Sequence, residues 1–322
     1  MIGRARVERT DSVTEELLCC EAASRPYAIR VSDVLGITRA EAIVAGRRLD
    51  GRVGTVAHGD TEVPVFSAAA RLGLVQTAGA DTQGHVVLID TGARTQGWLF
   101  TRILRRVTID AGGVAPLSRL VGIEARRLFD GLVTVDEQSM LLLSSGGPSP
   151  LPAAADPGSL QTGRRGAPGP QDGVSQARPL LIAFSTPALR MPSRTLAAVG
   201  ITQVREVLKV TDIVPVPRAP RAILGVVPWS GLAVPVVHLA DATPDHAKTR
   251  VLVVQDGSDA GAPLVLALPI HDDARLHRLA GDCPRIAQPS ATKVVHGVFA
   301  VGALQVGLVN VAAVAGEVAQ RR

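Results

Sequence analysis

Residues 204–241 read VREVLKVTDIVPVPRAPRAILGVVPWSGLAVPVVHLAD, a stretch dominated by valine, isoleucine and leucine in which Pro215, Pro217, Pro220, Pro228 and Pro235 interrupt any helical period. β-Branched side chains pack well on a pleated surface, and proline is confined to strand ends, edges and bulges. The pattern predicts a strand run over residues 204–216. Two further strands follow, at 223–227 and 232–239, joined across Pro228-Trp229-Ser230-Gly231, where Gly231 supplies the positive φ of a tight turn.

The same alternation recurs elsewhere. After a polar lead-in over residues 1–14, strands are predicted at 16–20 and 27–34, then a short helix or strand at 39–45 and a second hairpin within 51–66. Residues 297–316 carry no charge, which raises the question of a membrane span. They hold Gln305, Asn310 and several glycines, and read as a buried hairpin about Gly302-Ala303; no membrane insertion is expected.

The hydrophobic pattern repeats along the chain. Gly54 and Pro64 have the spacing of Gly225 and Pro235, 171 residues later. At an offset of 166, residues 86–90 face 252–256, 98–104 face 264–270, and Phe129-Asp-Gly131 faces Val295-His-Gly297. Anchors that keep their order imply two copies of one β-rich module. Between them, residues 144–178 are rich in glycine, proline and serine with no apolar period, the composition of a flexible tether. The expected organisation is a lead-in (1–14), a divergent first module (15–143), the tether (144–178) and a second module (179–318).

Composition narrows the choices. Only 2% of the 322 residues are aromatic, so the cores must be aliphatic and there is little surface for stacking bases. The net charge of +5 falls in the second half, and nearly all basic residues are arginines that never run beyond pairs. Phosphate tracking calls for clustered cations, so a nucleic-acid-binding small β-barrel is the alternative reading and no nucleic-acid partner is expected. Cys19 and Cys20 are adjacent in a strand and Cys283 is distant; no zinc spacing exists, and small buried hydrophobes in a reducing cytoplasm are expected. The N-terminus lacks the apolar core of a signal peptide.

Candidate chemistry is thin. His271-Asp272-Asp273 with His277 is the densest group of metal-ligating types, yet its spacing on a strand or loop does not converge the imidazoles. Trp229-Ser230-Gly231 lacks the glycine that a nucleophile elbow needs two residues before its serine, where Pro228 stands. No phosphate-cradling glycine motif opens a helix. No cofactor, metal or catalytic role is expected.

The order Val204-Arg205-Glu206-Val207, Val216-Pro217 with Pro220, Gly225-Val226-Val227, Gly231 and Val234-Pro235-Val236-Val237-His238-Leu239 resembles the CheW-type chemotaxis adaptor family. The resemblance implies a mainly β fold, two tandem modules each a pair of small SH3-like β-barrels. It also implies a non-catalytic cytoplasmic adaptor whose partners are a CheA-type histidine kinase and chemoreceptor cytoplasmic tips. The family usually carries Asn-Leu-Arg-Gly in the turn, so its arginine is Ser230 here. The protein-binding residues expected are Arg205, Glu206, Val226, Trp229, Ser230 and Gly231, in the second module. There Trp229 offers a large rigid contact at the turn tip, whereas the first module has the polar turn Ala57-His58-Gly59-Asp60-Thr61, read as one residue longer. Limited proteolysis is expected to cut first between Ser144 and Arg178 and to leave two folded halves. Early cleavage within 204–241 would refute that boundary.

Overall fold

The computed structural model describes residues 13–45, 51–74, 83–92, 94–145, 180–189, 191, 195–210, 212–240, 250–256, 264–271, 275–278, 285–287 and 294–321. Most of the expected tether, together with Asp272 and Asp273, lies outside the described residues. The chain divides into two compact units, one from Met1–Pro116 and Arg126–Ser149, the other from Leu117–Ala125 and Pro150–Arg322. In the second unit, Leu117 bridges Ala233 in parallel and the short 3-10 turn Arg119–Val121 packs on the C-terminal helix.

The first unit contains strands β1 (Thr14–Ala22), β2 (Arg25–Arg30), β3 (Val34–Arg39), β4 (Val44–Ala45), β5 (Arg52–His58), β6 (Thr61–Ser67), β7 (His85–Asp90), β8 (Thr95–Phe100), β9 (Arg102–Asp110), β10 (Val114–Pro116), β11 (Phe129–Val135) and β12 (Gln138–Leu143). Two short helices, α1 (Ala68–Arg71) and α2 (Ile123–Leu128), interrupt them. They form two six-stranded sheets, β10-β11-β12-β2-β1-β9 and β3-β7-β8-β6-β5-β4. The second unit repeats the plan with β13 (Leu180–Phe184), β14 (Thr195–Gly200), β15 (Val204–Lys209), β16 (Ile223–Trp229), β17 (Leu232–Val237), β18 (Arg250–Gln255), β19 (Val265–Ile270), β20 (Arg275–Arg278), β21 (Arg285–Ala287), β22 (Val295–Val301), β23 (Leu304–Val309) and helix α3 (Val311–Gln320). Its sheets run β20-β13-β14-β23-β22-β21 and β15-β18-β19-β17-β16.

One device closes these sheets. In the first unit the edge strands of each sheet are consecutive in the chain, β9 with β10 and β3 with β4, each pair linked by a single 3-10 turn. A continuous segment therefore runs from one edge to the other and curls the sheet into a small barrel, which draws the two edges toward each other. In the second unit the chain leaving β15 reaches Val214, which exchanges two backbone hydrogen bonds with Val226 of β16.

The returning segment passes so close that the facing residue must be glycine. A Cβ on Gly54 would stand 2.3 Å from the Val44 carbonyl oxygen, on Gly225 2.4 Å from that of Val214, and on Gly131 2.6 Å from that of Ala115. Each glycine lies at a bulge, where the register shifts between Arg52/Gly54, Ile223/Gly225 and Phe129/Gly131. The repeated glycines of the sequence are thus closure points.

Strands buried on both faces explain the unbroken apolar runs. One face of the first sheet lines a barrel interior built from Leu17, Cys19, Ala28, Val133, Met140 and Leu142. The alternate residues Leu18, Cys20, Tyr27, Ile29, Leu132 and Leu141 are buried as well. In the same unit, Val87, Ile89, Trp98 and Phe100 are buried on the face opposite the second barrel's interior of Val56, Val63, Val65, Val86 and Leu88. Strand β1 approaches β8, and the Thr101 amide donates to the Glu21 carbonyl at 2.9 Å. Arg30 crosses the first sheet to pair with both Glu15 (2.6 Å) and Asp130.

The structure corrects four sequence expectations. The hairpin turn is Ser230–Gly231, not four residues, because Pro228 pairs with Ala233 and Trp229 with Leu232 inside the ladder. The first module's turn has the same length, since His58 pairs with Thr61. The repeat register also moves: the β7–β8 pair His85–Phe100 corresponds to the β18–β19 pair Arg250–Ile270, offsets of 165 and 170 rather than a uniform 166. A longer connection between β18 and β19 absorbs the difference, and runs of interchangeable aliphatics carry no mark that fixes register in sequence. Around Gly302 the expected hairpin forms, with φ of +62°, but residues beyond it form α3, capped by the Asn310 side chain accepting from the Ala313 amide. Among the described residues no helix is long and apolar enough to cross a membrane.

Replacing Gly54 or Gly225 by alanine is expected to cost about 3 kcal/mol of stability in the unit that carries it, the upper range for overpacking. Gly112→Ala, with open space around its Cβ, should be near neutral. Urea unfolding followed by circular dichroism checks both. Burial raises the Cys20 thiol from 9.0 to about 12, with Cys19 adding to the shift, and raises the Tyr27 hydroxyl from 10.0 to about 12. Folded-state values above the unfolded ones mean that stability is complete below pH 9 and falls as pH rises toward about 12. Cys20→Ala and Tyr27→Phe should each flatten that alkaline loss in melting curves.

Candidate docking site on the second module

Strand β15 lies at one edge of its sheet, paired with β18, and a bulge shifts its register between Val204 and Glu206. On a regular strand, successive side chains would point to opposite faces. Here Arg205, Glu206 and Val207 are all exposed, because the bulge re-aims the backbone. Arg205 Nε donates to Gln255 Oε1 at 2.5 Å, which ties this segment to the end of β18.

The β16–β17 hairpin reaches the same place. Ser230 and Gly231 take φ values of +46° and +73°, both left-handed as in a type I′ turn, whose twist matches the flanking strands. Their side of the turn faces solvent. Trp229 is half-buried, packed beside the barrel interior of Val227, Val234, Val236, Val251, Val253 and Ala267. Its indole Nε1–H donates to Glu206 Oε2 at 2.8 Å. The tryptophan is therefore a brace between the hairpin and the edge strand rather than a free tip. The ring is fixed on one side by the barrel and on its polar end by a carboxylate, the arrangement expected of a half-buried amphipathic aromatic.

Five of the six residues expected at the site thus meet on one surface: Arg205, Glu206, Trp229, Ser230 and Gly231. Val226 does not join them. It is fully buried, its two backbone hydrogen bonds to Val214 close the barrel, and its place is support beneath the surface. Val207 was not among the expected residues; it is 43% exposed. It lies beyond the bulge, next to Leu208, which packs against the barrel interior, so alternation points Val207 outward.

In the first module the corresponding residues differ. The bulge between Val34 and Gly36 on β3 matches that on β15, which aligns Leu35, Gly36 and Ile37 with Arg205, Glu206 and Val207. His58 closes the turn where Trp229 does, and Gly59 alone takes a positive φ there. Neither the indole donor nor the carboxylate acceptor is present, so this brace belongs to the second module.

The CheW-like domain family matches residues 16–147 and 189–315. The chain belongs to this family. The crystal structure of the scaffolding protein TtCheW from Thermoanaerobacter tengcongensis is similar at 13% identity and a TM-score of 0.37, over 45% of this chain and 92% of that one. No curated protein matches the chain. Membership makes it a tandem pair of CheW-like domains, of a non-catalytic scaffold family in chemotaxis signal transduction.

Proposed function

We propose that the protein couples chemoreceptor cytoplasmic tips to a CheA-type histidine kinase in the bacterial cytoplasm, and that the second module provides the main docking surface. The observation that carries the reading is the braced edge of β15, where Glu206 is held by Trp229 next to the Ser230–Gly231 turn and Arg205 and Val207 are exposed on the same strand. Its chemistry suits a protein partner: an aliphatic contact flanked by one cation and one anion, held on rigid strands. Preorganised contacts of this kind lose little entropy on binding. The Trp229–Glu206 bond fixes the carboxylate before the partner arrives. Ser230, standing where the family usually has arginine, takes a charge away from the turn, so the partner's surface facing that point need not be acidic. Two modules on one tethered chain add avidity when both engage.

Calorimetric titration of the protein with a CheA-type kinase regulatory domain, and separately with a receptor tip fragment, tests the reading. Val207→Asp should weaken binding by roughly 1 to 3 kcal/mol with an unchanged melting temperature. Trp229→Phe keeps an aromatic ring against the barrel but removes the donor to Glu206, and should weaken binding to a smaller degree. Trp229→Ala should lower affinity and melting temperature together, because the ring also packs against the barrel interior. His58→Ala should change little. Wild-type affinity for Val207→Asp with both partners would overturn the assignment.

A further inference from the structure

Strand β3 is the first module's counterpart of the docking strand, and its chemistry is different. It reads Val34-Leu35-Gly36-Ile37-Thr38-Arg39 and pairs with β7 on one side, while its other edge is unpaired among the described residues. Leu35 and Ile37 are 45% and 48% exposed, two of the most exposed large aliphatic side chains in the described structure. Exposed edges are ordinarily guarded by charges or proline within the strand. Both strands carry a bulge, and β15 adds Arg205, Glu206 and Lys209; β3 adds a single charge, Arg39, at its last position.

The order of residues on β3 is complementary to itself. Asp33, immediately before the strand, and Arg39 at its end bracket Leu35 and Ile37 at two-residue intervals. An antiparallel pairing of two such strands about a two-fold axis at Gly36 sets Leu35 opposite Ile37, and brings Asp33, at the end of the 3-10 turn that precedes the strand, to the partner strand's last residue Arg39, twice over. Gly36 leaves the axis free of side chains. Opposite charges and paired aliphatics across antiparallel strands are both favourable, and like charges nowhere face each other. Arg39 is exposed and has no partner among the described residues. The Asp33 carboxylate accepts from Ser32 Oγ at 3.0 Å and Ser145 Oγ at 2.6 Å, which fixes its position and leaves lone pairs for a third donor. The alternatives fit less well. Pairing β3 with β15 would set Ile37 against Arg205, and pairing β15 with itself would set Arg205 against Val207.

We propose that the first module's β3 edge is a self-association surface: two copies of the chain pair antiparallel through residues 33–39, giving a two-fold dimer. Such an interface is isologous and closes on itself, so the product is a dimer and not a filament. A single strand pair with four outward aliphatic side chains is small, so the dimer is weak and concentration-dependent. The surface shares no residue with the braced site on β15, and a dimer doubles the number of such sites per assembly.

Sedimentation velocity of the full chain over a concentration series tests this. The wild type should pass from monomer to dimer, and Ile37→Glu should remain monomeric across the series with an unchanged melting temperature. Ile123→Glu, which charges a comparably exposed aliphatic residue on α2, should dimerise as the wild type does. Arg39→Asp should weaken the dimer at least tenfold, and adding Asp33→Arg to it should restore much of the loss, a rescue that a merely structural role for either residue would not produce. The proposal is overturned by a wild type that stays monomeric, by a dimer that survives Ile37→Glu, or by failure of the charge swap to recover association. It is equally overturned if Ile37→Glu leaves the oligomeric state unchanged and abolishes kinase or receptor binding, since the strand would then serve a different protein.

Discussion

A returning strand pressed against a glycine is the contact on which the rest of the structure depends. At Gly54, Gly131 and Gly225 the carbonyl of the closing segment lies where a Cβ would otherwise be. That distance sets how tightly each sheet curls, and the curl decides which side chains point into the barrel. A bulge at each glycine supplies the extra residue that lets the strand bend at the seam. Closure also determines composition. Barrels this narrow are filled by valine, leucine and alanine, and a chain with 2% aromatic residues can build four sheets without large rings at most interior positions.

Closure has a second consequence. A barrel hides its interior face, but in the first unit the alternate face of several strands is also buried, so these strands have no polar side. Polar residues are then confined to the edges and turns, and the surfaces available for partners are the same edges and turns. One of the two buried polar residues among the described residues, Gln96, sits on such a strand, β8, within an otherwise apolar layer. Function is pushed outward by the packing that holds the fold.

Much of this was legible in the sequence, for physical reasons that can be named. The tandem repeat was visible because the closure glycines have no room for a side chain, so Gly54 and Gly225 stand as markers, each with a proline ten residues on. Positive φ at Gly231 and Gly302 followed from the same residue type. Register within aliphatic runs was not legible: Val86–Ile89 and Trp98–Phe100 hold nothing that distinguishes one alternation from the next, and the true offsets came from hydrogen-bonded pairs. The six-residue composition of β15 suggested an alternating strand; nothing in it marks the bulge that shifts the pairing with β18 between Val204 and Glu206. Val226 was misplaced for a related reason. It stands three residues before Trp229, yet it lies under the surface and seals the barrel.

The two edge strands show what the closed frame leaves open to variation. On β15, Glu206 is held by Trp229, and both depend on the hairpin turn being short enough to bring the indole to the edge. On β3, glycine replaces that carboxylate and histidine replaces the indole, though the turn has the same length and the bulge lies at the same place. Turn length and bulge position are therefore common to both modules, while the side chains on the outward face differ. Apart from Trp229, which packs on the barrel interior, changing such exposed side chains costs little stability. A duplicated barrel can keep its closure and its core while one edge carries three charges and the other an aliphatic pair between an acid and a base. Two different surfaces on one repeated frame are what an adaptor needs in order to hold unlike neighbours together.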